Sequence, residues 1–401
     1  MIGMAATLNP ARSLRGGALL DLDWWTLFAA LALLGLGLVM VTSASLPIAS
    51  NPAKFSSPFY YVTRHLIAIF IGLALGGLVL ATPMDWWARR GNLLYFTGVL
   101  LLILVLVPGV GRQVNGAIRW IPLGVFNLQG SEYMKLFAVI YMAGYLVRRG
   151  HEVSTRVLGV IKPLILISLA CLLILAEPDF GTTAVILATV LGLLFLGGAP
   201  LWQFGLLLGL VALLFVGLVL FEPYRVARLT AFLNPWEDRL GSGYQLSQAL
   251  IAFGRGEWFG VGLGNGIQKQ YYLPEAHTDF ILAVIGEELG LIGTFLVVTL
   301  FAFICYRAFR IGGVAERAGR RFSGYVAYGL GLWLGLQTFI NVGVNVGLLP
   351  TKGLTLPFMS YGGNSVIMSC LAAAVLLRID YENHQRVPPS ETKEKAPWDP
   401  S

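Results

Sequence analysis

Ten apolar runs, each near the length that crosses a bilayer, occupy most of this 401-residue chain and restrict it to one kind of architecture. They lie near 24–44, 62–82, 92–110, 133–148, 158–176, 182–199, 203–221, 280–306, 324–347 and 357–378. At 1.5 Å rise per residue, about 20 residues cross about 30 Å of hydrocarbon. Lipid offers no partner to an open backbone group, so unbroken apolar runs of this length read as helices. Only 12% of the residues are charged, about half the share of a soluble domain, which excludes an ordinary cytosolic enzyme. The expected fold is therefore all-α: a polytopic membrane protein of about ten transmembrane helices. The fourth run is short, and nine or eleven spans also fit. The first run is too long for a cleaved signal peptide and lacks a clean cleavage site, so it reads as an uncleaved anchor.

Orientation follows from the basic residues near the span ends. With the N-terminus inside, cytoplasmic segments hold 17 of the 28 Lys and Arg. The loop Arg307–Arg321 alone carries Arg307, Arg310, Arg317, Arg320 and Arg321. Both termini then lie in the cytoplasm. Topology accounts for the net charge of +7, leaving no support for nucleic-acid binding. The layout is a cytoplasmic segment 1–22, a membrane domain 23–380 and a polar tail 381–401. That tail, proline-containing and poor in aliphatics, is expected to be disordered. Two long extracytoplasmic segments remain, about 111–132 and, between the seventh and eighth spans, 222–279. Cys171, Cys305 and Cys370 sit inside apolar runs without paired spacing and read as packing residues.

The extracytoplasmic face collects the unusual polar residues. Arg112, Arg119 and Trp120, followed by Ser131, Glu132 and Lys135, suit either an interfacial belt with Ser131 capping the fourth helix, or cations facing an anionic headgroup. In Glu177-Pro178-Asp179-Phe180-Gly181-Thr182 the spacing favours Asp179 as a helix cap. Asp279, reached through Pro274-Glu275-Ala276-His277-Thr278, also reads first as a cap on residue identity alone. Glu287 and Glu288 follow in the eighth run, where a buried carboxyl is costly unless paired or wet, and Glu287 falls on the helical face of Asp279. Gln337, Asn341 and Asn345 form an i, i+4 polar stripe that must face protein or a cavity. Lys352 sits in a loop shaped by prolines and glycines, and Arg64 is one more cation near the same surface.

Four stretches together resemble the SEDS family of peptidoglycan glycosyltransferases: Asn115–Ile121, Glu177–Thr182, Pro274–Phe280 with Gly286–Gly290, and Gly347–Gly363. They occur in family order across nearly the whole membrane region. The form of the stretch around Lys352 is closer to the FtsW cell-division branch than to the RodA elongation branch. Gly130 stands where the family commonly has proline, and Asn364 where it commonly has serine.

The resemblance implies ten spans, lipid II as substrate, and polymerisation outside the bacterial cytoplasmic membrane at the division septum. It also implies a class B penicillin-binding protein as partner, together with other membrane proteins of the division complex. Carried over by position, it makes Asp279 the essential aspartate, and puts Arg119, Trp120, Lys352 and Glu132 in the external cavity. On that reading Asp279 is the general base, Arg112, Arg119, Arg64 and Lys352 hold the departing pyrophosphate, and Glu287, Glu288, His277, Asn341 and Asn345 support the cavity. A divalent cation, Mg or Mn, could share the load on the pyrophosphate, although no ligand cluster demands one. Competing expectations are a lipid II flippase or transporter, suggested by Glu287, Glu288 and the asparagine stripe, an elongation-type polymerase, and a scaffold that only recruits a synthase.

Overall fold

The computed structural model describes residues 22–53, 55, 57–114, 117–122, 124, 127–220, 232–351 and 353–385. Its helices are α1 (Trp24–Ala49), α2 (Tyr60–Ala81), α3 (Met84–Leu106), α4 (Gly130–Thr155), α5 (Val157–Ala176), α6 (Phe180–Leu196), α7 (Leu201–Leu220), α8 (Tyr244–Gly256), α9 (Ile281–Arg317), α10 (Arg321–Asn345) and α11 (Gly363–Gln385). Six of them, α1, α2, α3, α5, α9 and α11, are each long and apolar enough to cross a membrane. Strands β1 (Arg112–Val114), β2 (Ala117–Pro122) and β3 (Asn127–Leu128) pair antiparallel into a small ribbon between α3 and α4. The chain is thus mostly helical but not wholly so. The ribbon replaces what the sequence presents as an unstructured loop.

Helix α11 is the hub, buried along nearly its whole length and packed by α1, α2, α4, α9 and α10. Small residues let α2 approach it. A Cβ at Gly72 would stand 3.0 Å from Cys370 Sγ, and Gly76, one turn on, faces Ala374. This is small-residue packing, in which close backbones gain dispersion contact without a hydrophobic drive. Cys171 and Cys370 are buried, and Cys305 partly so, all three as free thiols.

At the end of the bundle holding the α9–α10 turn, the charges pair among themselves. Asp23 caps α1 by accepting the Trp25 and Thr26 amides, and Arg307 Nη2 reaches it at 2.7 Å. Arg378 pairs with Glu382 at 3.0 Å, and Glu382 accepts the Met84 amide at 2.9 Å. These contacts tie the ends of α1, α3, α9 and α11 together. Helix α11 starts at Gly363 and ends at Gln385, later at both ends than the apolar run suggests. The stretch 357–362 is a loop belonging to the opposite, polar end of the bundle.

Helix α9 is not continuous. Gly290 has φ +68° and ψ −165°, which breaks the ladder of helical hydrogen bonds. The segment following α8 fills that break. Val261 and Gly262 donate to the carbonyls of Glu287 and Glu288 at 2.9 and 3.1 Å, and the amides of Leu291 and Ile292 reach the carbonyls of Glu257 and Trp258 at 2.9 and 3.2 Å. A backbone interruption inside an apolar helix survives only where such partners exist. Glycine is required at 290: a Cβ there would come within 2.4 Å of the Gly260 nitrogen, besides the positive φ.

Candidate active site

The polar stripe of α10 organises one end of the bundle. Asn341 Nδ2 and Asn345 Nδ2 each donate to the backbone carbonyl of Asp279 at 3.0 Å. Asn341 Nδ2 also reaches the Leu354 carbonyl at 2.6 Å, and Gln337 Nε2 reaches that of Thr355 at 2.8 Å. One helix face thereby clamps two loops against each other: the segment before α9 and the segment before α11. These amides are buried, so each unmade bond would cost about 1–3 kcal/mol, which fixes the loop geometry.

The capping reading of Asp279 gives way here. The N-cap position of α9 belongs to Phe280, and the Ala283 amide is accepted by Asn345 Oδ1 at 3.1 Å. The half-buried Asp279 carboxylate lies instead against Gly353, whose added Cβ would stand 3.0 Å from Oδ2. Further bonds fasten the same two loops: Ser360 Oγ to the Thr278 carbonyl at 2.6 Å, and the Tyr361 amide to the His277 carbonyl at 2.8 Å. Glu275 (φ +55°) and Phe358 (φ +62°) hold left-handed backbone conformations on either side, a strain typical of segments fixed by their surroundings. Lys352 lies outside the described residues.

The cations expected beside Asp279 divide into groups. Strand pleating puts Arg119 on the face opposite Trp120, and Arg112 pairs with Trp120 across the ribbon. Arg119 therefore reaches the α5–α6 turn, donating Nε to the Glu177 carbonyl at 2.8 Å and Nη2 to that of Pro178 at 2.6 Å. Arg112 is exposed. Arg64, also exposed, lies over the Tyr60 ring at 4.5 Å. None of the three forms an ion pair among the described residues. Lys135 is not one of them. It is buried, 2.8 Å from Glu132 and 2.9 Å from Gln337 Oε1, because a charge at that depth must be paired. Glu132 is likewise buried and paired with Lys135.

Two other expectations are corrected. Ser131 does not cap α4: Gln129 is the N-cap residue, and the Ser131 hydroxyl points to Asp179 Oδ2 at 3.4 Å, since Gly130 starts the helix one residue early. Glu287 and Glu288 do not support a cavity beside Asp279. Glu287 accepts from Arg255, Ile267 N and Gln268 N at 2.9, 2.9 and 3.0 Å. Glu288 accepts from Lys269 at 2.6 Å, Ser43 at 2.8 Å and the amides of Gly264 and Gly266 at 3.0 and 3.3 Å. Both carboxylates are wholly buried in this ladder, which pins the segment 255–269. Asp179 caps α6 as its spacing indicates, accepting the Thr182 amide at 3.1 Å.

Two acid–base groups near the site went unnoticed in the sequence or were named there without partners. Glu177 is 0% exposed and neither carboxyl oxygen has a hydrogen-bond partner among the described residues. Burial, reinforced by Asp179 and opposed by Arg119, pushes its carboxyl up to about 8. It had been visible only as one letter of a turn. Burial also holds the His277 imidazole below its ordinary value, against the opposing pull of Glu275, so it is neutral near pH 7. Among the described residues no three His, Cys, Asp or Glu side chains form a group able to hold a metal ion.

A mostly helical chain with several apolar helices, one end of which binds an aspartate between two hydrogen-bonded loops, defines a membrane-embedded protein with a polar site at the bundle end. Residues 24–385 match the family described as cell cycle protein, that of FtsW, RodA and SpoVE. The chain belongs to this family. It is 59% identical over 377 residues to the probable peptidoglycan glycosyltransferase FtsW of Allochromatium vinosum, covering 94% of each. To the protein of the same description in Coxiella burnetii it is 52% identical over 360 residues, covering 90% of this chain and 96% of that one. Among solved structures, a chain of a peptidoglycan synthase complex that coordinates polymerization and crosslinking superimposes with a TM-score of 0.73 at 30% identity, over 91% of this chain and 99% of the other. The Thermus thermophilus rod shape determining protein RodA superimposes with a TM-score of 0.67 at 28% identity, over 91% and 98%.

Proposed function

We propose that this chain is a septal peptidoglycan glycosyltransferase that polymerises lipid II, with Asp279 as general base. The family match and the relatives described as FtsW glycosyltransferases support the activity and the division branch. The observation that carries the catalytic assignment is the double amide clamp on the Asp279 carbonyl, which spends two buried asparagines on orienting one acid. In the reaction the 4-hydroxyl of one lipid-linked sugar attacks the anomeric carbon of another. The new glycosidic bond forms as the bond to undecaprenyl pyrophosphate breaks, and the hydroxyl proton passes to the Asp279 carboxylate. A positioned carboxylate contributes ~10²–10⁴ to such a step. The leaving pyrophosphate is countered by Arg119, Arg112 and Arg64, with Lys352 assigned there by family position.

The ten apolar runs are taken as ten membrane crossings with both termini in the cytoplasm, which puts the Asp279 end outside the bacterial inner membrane, where lipid II is presented. A class B penicillin-binding protein that cross-links the new strand is the expected partner, among other membrane proteins of the division complex. The flippase reading loses its main support, because Glu287 and Glu288 are held in ion pairs rather than facing a passage. The deciding experiment supplies lipid II to purified full-length protein in detergent, in the presence of penicillin. Glycan chains from the native protein, and none from a folded Asp279→Asn variant, are the expected result. Polymerisation by that variant at the native rate would remove Asp279 from the chemistry.

A further inference from the structure

At the start of α2 a group of rings has no part in the chemistry derived so far. The Tyr61 ring centroid lies 4.6 Å from His277 and 5.0 Å from Tyr361, and Tyr60 and Phe55 extend the surface at 5.3 Å each from Tyr61. Phe55, Tyr60, Tyr61 and Tyr361 are all half-buried, and the Arg64 guanidinium lies over Tyr60 at 4.5 Å. At the inner edge of this platform His277 is buried, and its Nδ1 has no partner among the described residues, an unfilled hydrogen-bonding position. The platform is continuous with the catalytic loop: His277 is two residues from Asp279, and its carbonyl receives the Tyr361 amide.

The chemistry of these groups selects a ligand. Tyrosine rings offer rigid apolar faces with hydroxyl tips, which match the C–H face and hydroxyl rim of a pyranose, and an adjacent guanidinium matches a phosphate. A merely interfacial aromatic belt needs no exposed cation stacked on its rings and no unpartnered imidazole beneath them. The geometry points to a sugar-phosphate subsite at this aromatic cluster, where a pyranose of the lipid-linked disaccharide packs against Tyr61 and the Tyr60 ring standing edge-on to it, and a phosphate oxygen meets Arg64. The inference rests on the glycan-polymerising reading above and adds the residues that hold the sugar.

The test separates sugar from phosphate and binding from chemistry. In full-length protein, Tyr61→Leu raises KM for lipid II about tenfold, the scale of one lost ring contact, while kcat changes much less. Tyr61→Phe, which keeps the ring, recovers most of that loss. In an Asp279→Asn background, Tyr61→Leu weakens binding of lipid II but not of undecaprenyl pyrophosphate, whereas Arg64→Gln weakens both. Should Tyr61→Leu fail to fold, Tyr60→Leu carries the same comparison. Folded Tyr61→Leu and Tyr60→Leu proteins with native KM and native affinity for lipid II would overturn the proposal. Polymerisation by the Asp279→Asn variant would strike the base assignment alone, since the KM comparison made with Asp279 intact still reports on the platform.

Discussion

The carboxylate of Asp279 rests against the α-carbon of Gly353, so closely that a Cβ there would stand 3.0 Å from Oδ2. Gly353 has no positive φ that would strain an alanine, so Gly353→Ala tests the contact and not the backbone. The added methyl must push the carboxylate by a few tenths of an ångström. Misplacing a reacting group by 1 Å costs ~10²-fold, so kcat for lipid II polymerisation should fall about tenfold with the melting temperature nearly unchanged. Unaltered kcat would mean that this carboxylate is not positioned for the reaction.

Asn345 ties α10 to both sides of the α9 start, through the Asp279 carbonyl and the Ala283 amide. Asn345→Ala removes one of two partners from each group, since Asn341 also donates to the Asp279 carbonyl and the Ala283 amide also reaches the Phe280 carbonyl at 3.1 Å, and thermal or denaturant unfolding in detergent should show a loss of ~0.5–1.5 kcal/mol for each. Activity at temperatures where the variant is folded should fall as well, because the amide orients the base. Asn345→Asp removes the donor and buries an unpaired carboxylate against the Asp279 and Asn341 carbonyls, and should be less stable than Asn345→Ala with no recovery of the rate.

The helices were readable in the sequence because lipid imposes a one-dimensional code: a long apolar run has only one way to satisfy its backbone. Asn341 and Asn345 could be singled out for the same reason, as polar residues where apolar ones are cheap, whereas Asp279 reads as a helix cap on its own and stands out only through the family resemblance. What could not be read was pairing across the fold. Lys135 looked like a free cation until Gln337, from a distant helix, was seen to hold it, and Glu288 looked like a cavity carboxyl until Ser43 and Lys269 appeared around it. The ribbon β1–β3 escaped notice because strands of two to six residues with mixed polarity carry no periodic signal of their own.

Glu288 and Lys269 form a buried pair at 2.6 Å, and removing one partner leaves the other charged and unmatched. Glu288→Gln should therefore destabilise the protein by ~3–5 kcal/mol, and Lys269→Met by a similar amount. The double variant Glu288→Gln/Lys269→Met should be more stable than the sum of the two losses predicts, and a double-mutant cycle on unfolding free energies measures the coupling. Strict additivity would show that the ladder pinning residues 255–269 depends on the backbone amides alone.

Glu177 gives the site a pH dependence whose sign can be worked out. Its folded-state value near 8 lies far above the ordinary carboxyl value of 4.5, because the group is buried, with Asp179 adding to the effect and Arg119 opposing it. Between these two values the unfolded chain has lost the proton while the folded chain keeps it, so stability falls as pH rises from about 4.5 to about 8 and levels off above. The slope in that window reaches about 1.4 kcal/mol per pH unit for one group. Glu177→Gln, which mimics the protonated acid, should flatten the curve and stabilise the protein most at the alkaline end, as measured by melting temperature across pH 5–9. The same protonation keeps the Arg119 charge unneutralised below pH about 8, since its guanidinium bonds the turn carbonyls and faces a neutral acid. Affinity for undecaprenyl pyrophosphate should accordingly decline above that pH in the native protein and persist in Glu177→Gln. A native affinity that stays level through pH 9 would dissociate Glu177 from Arg119.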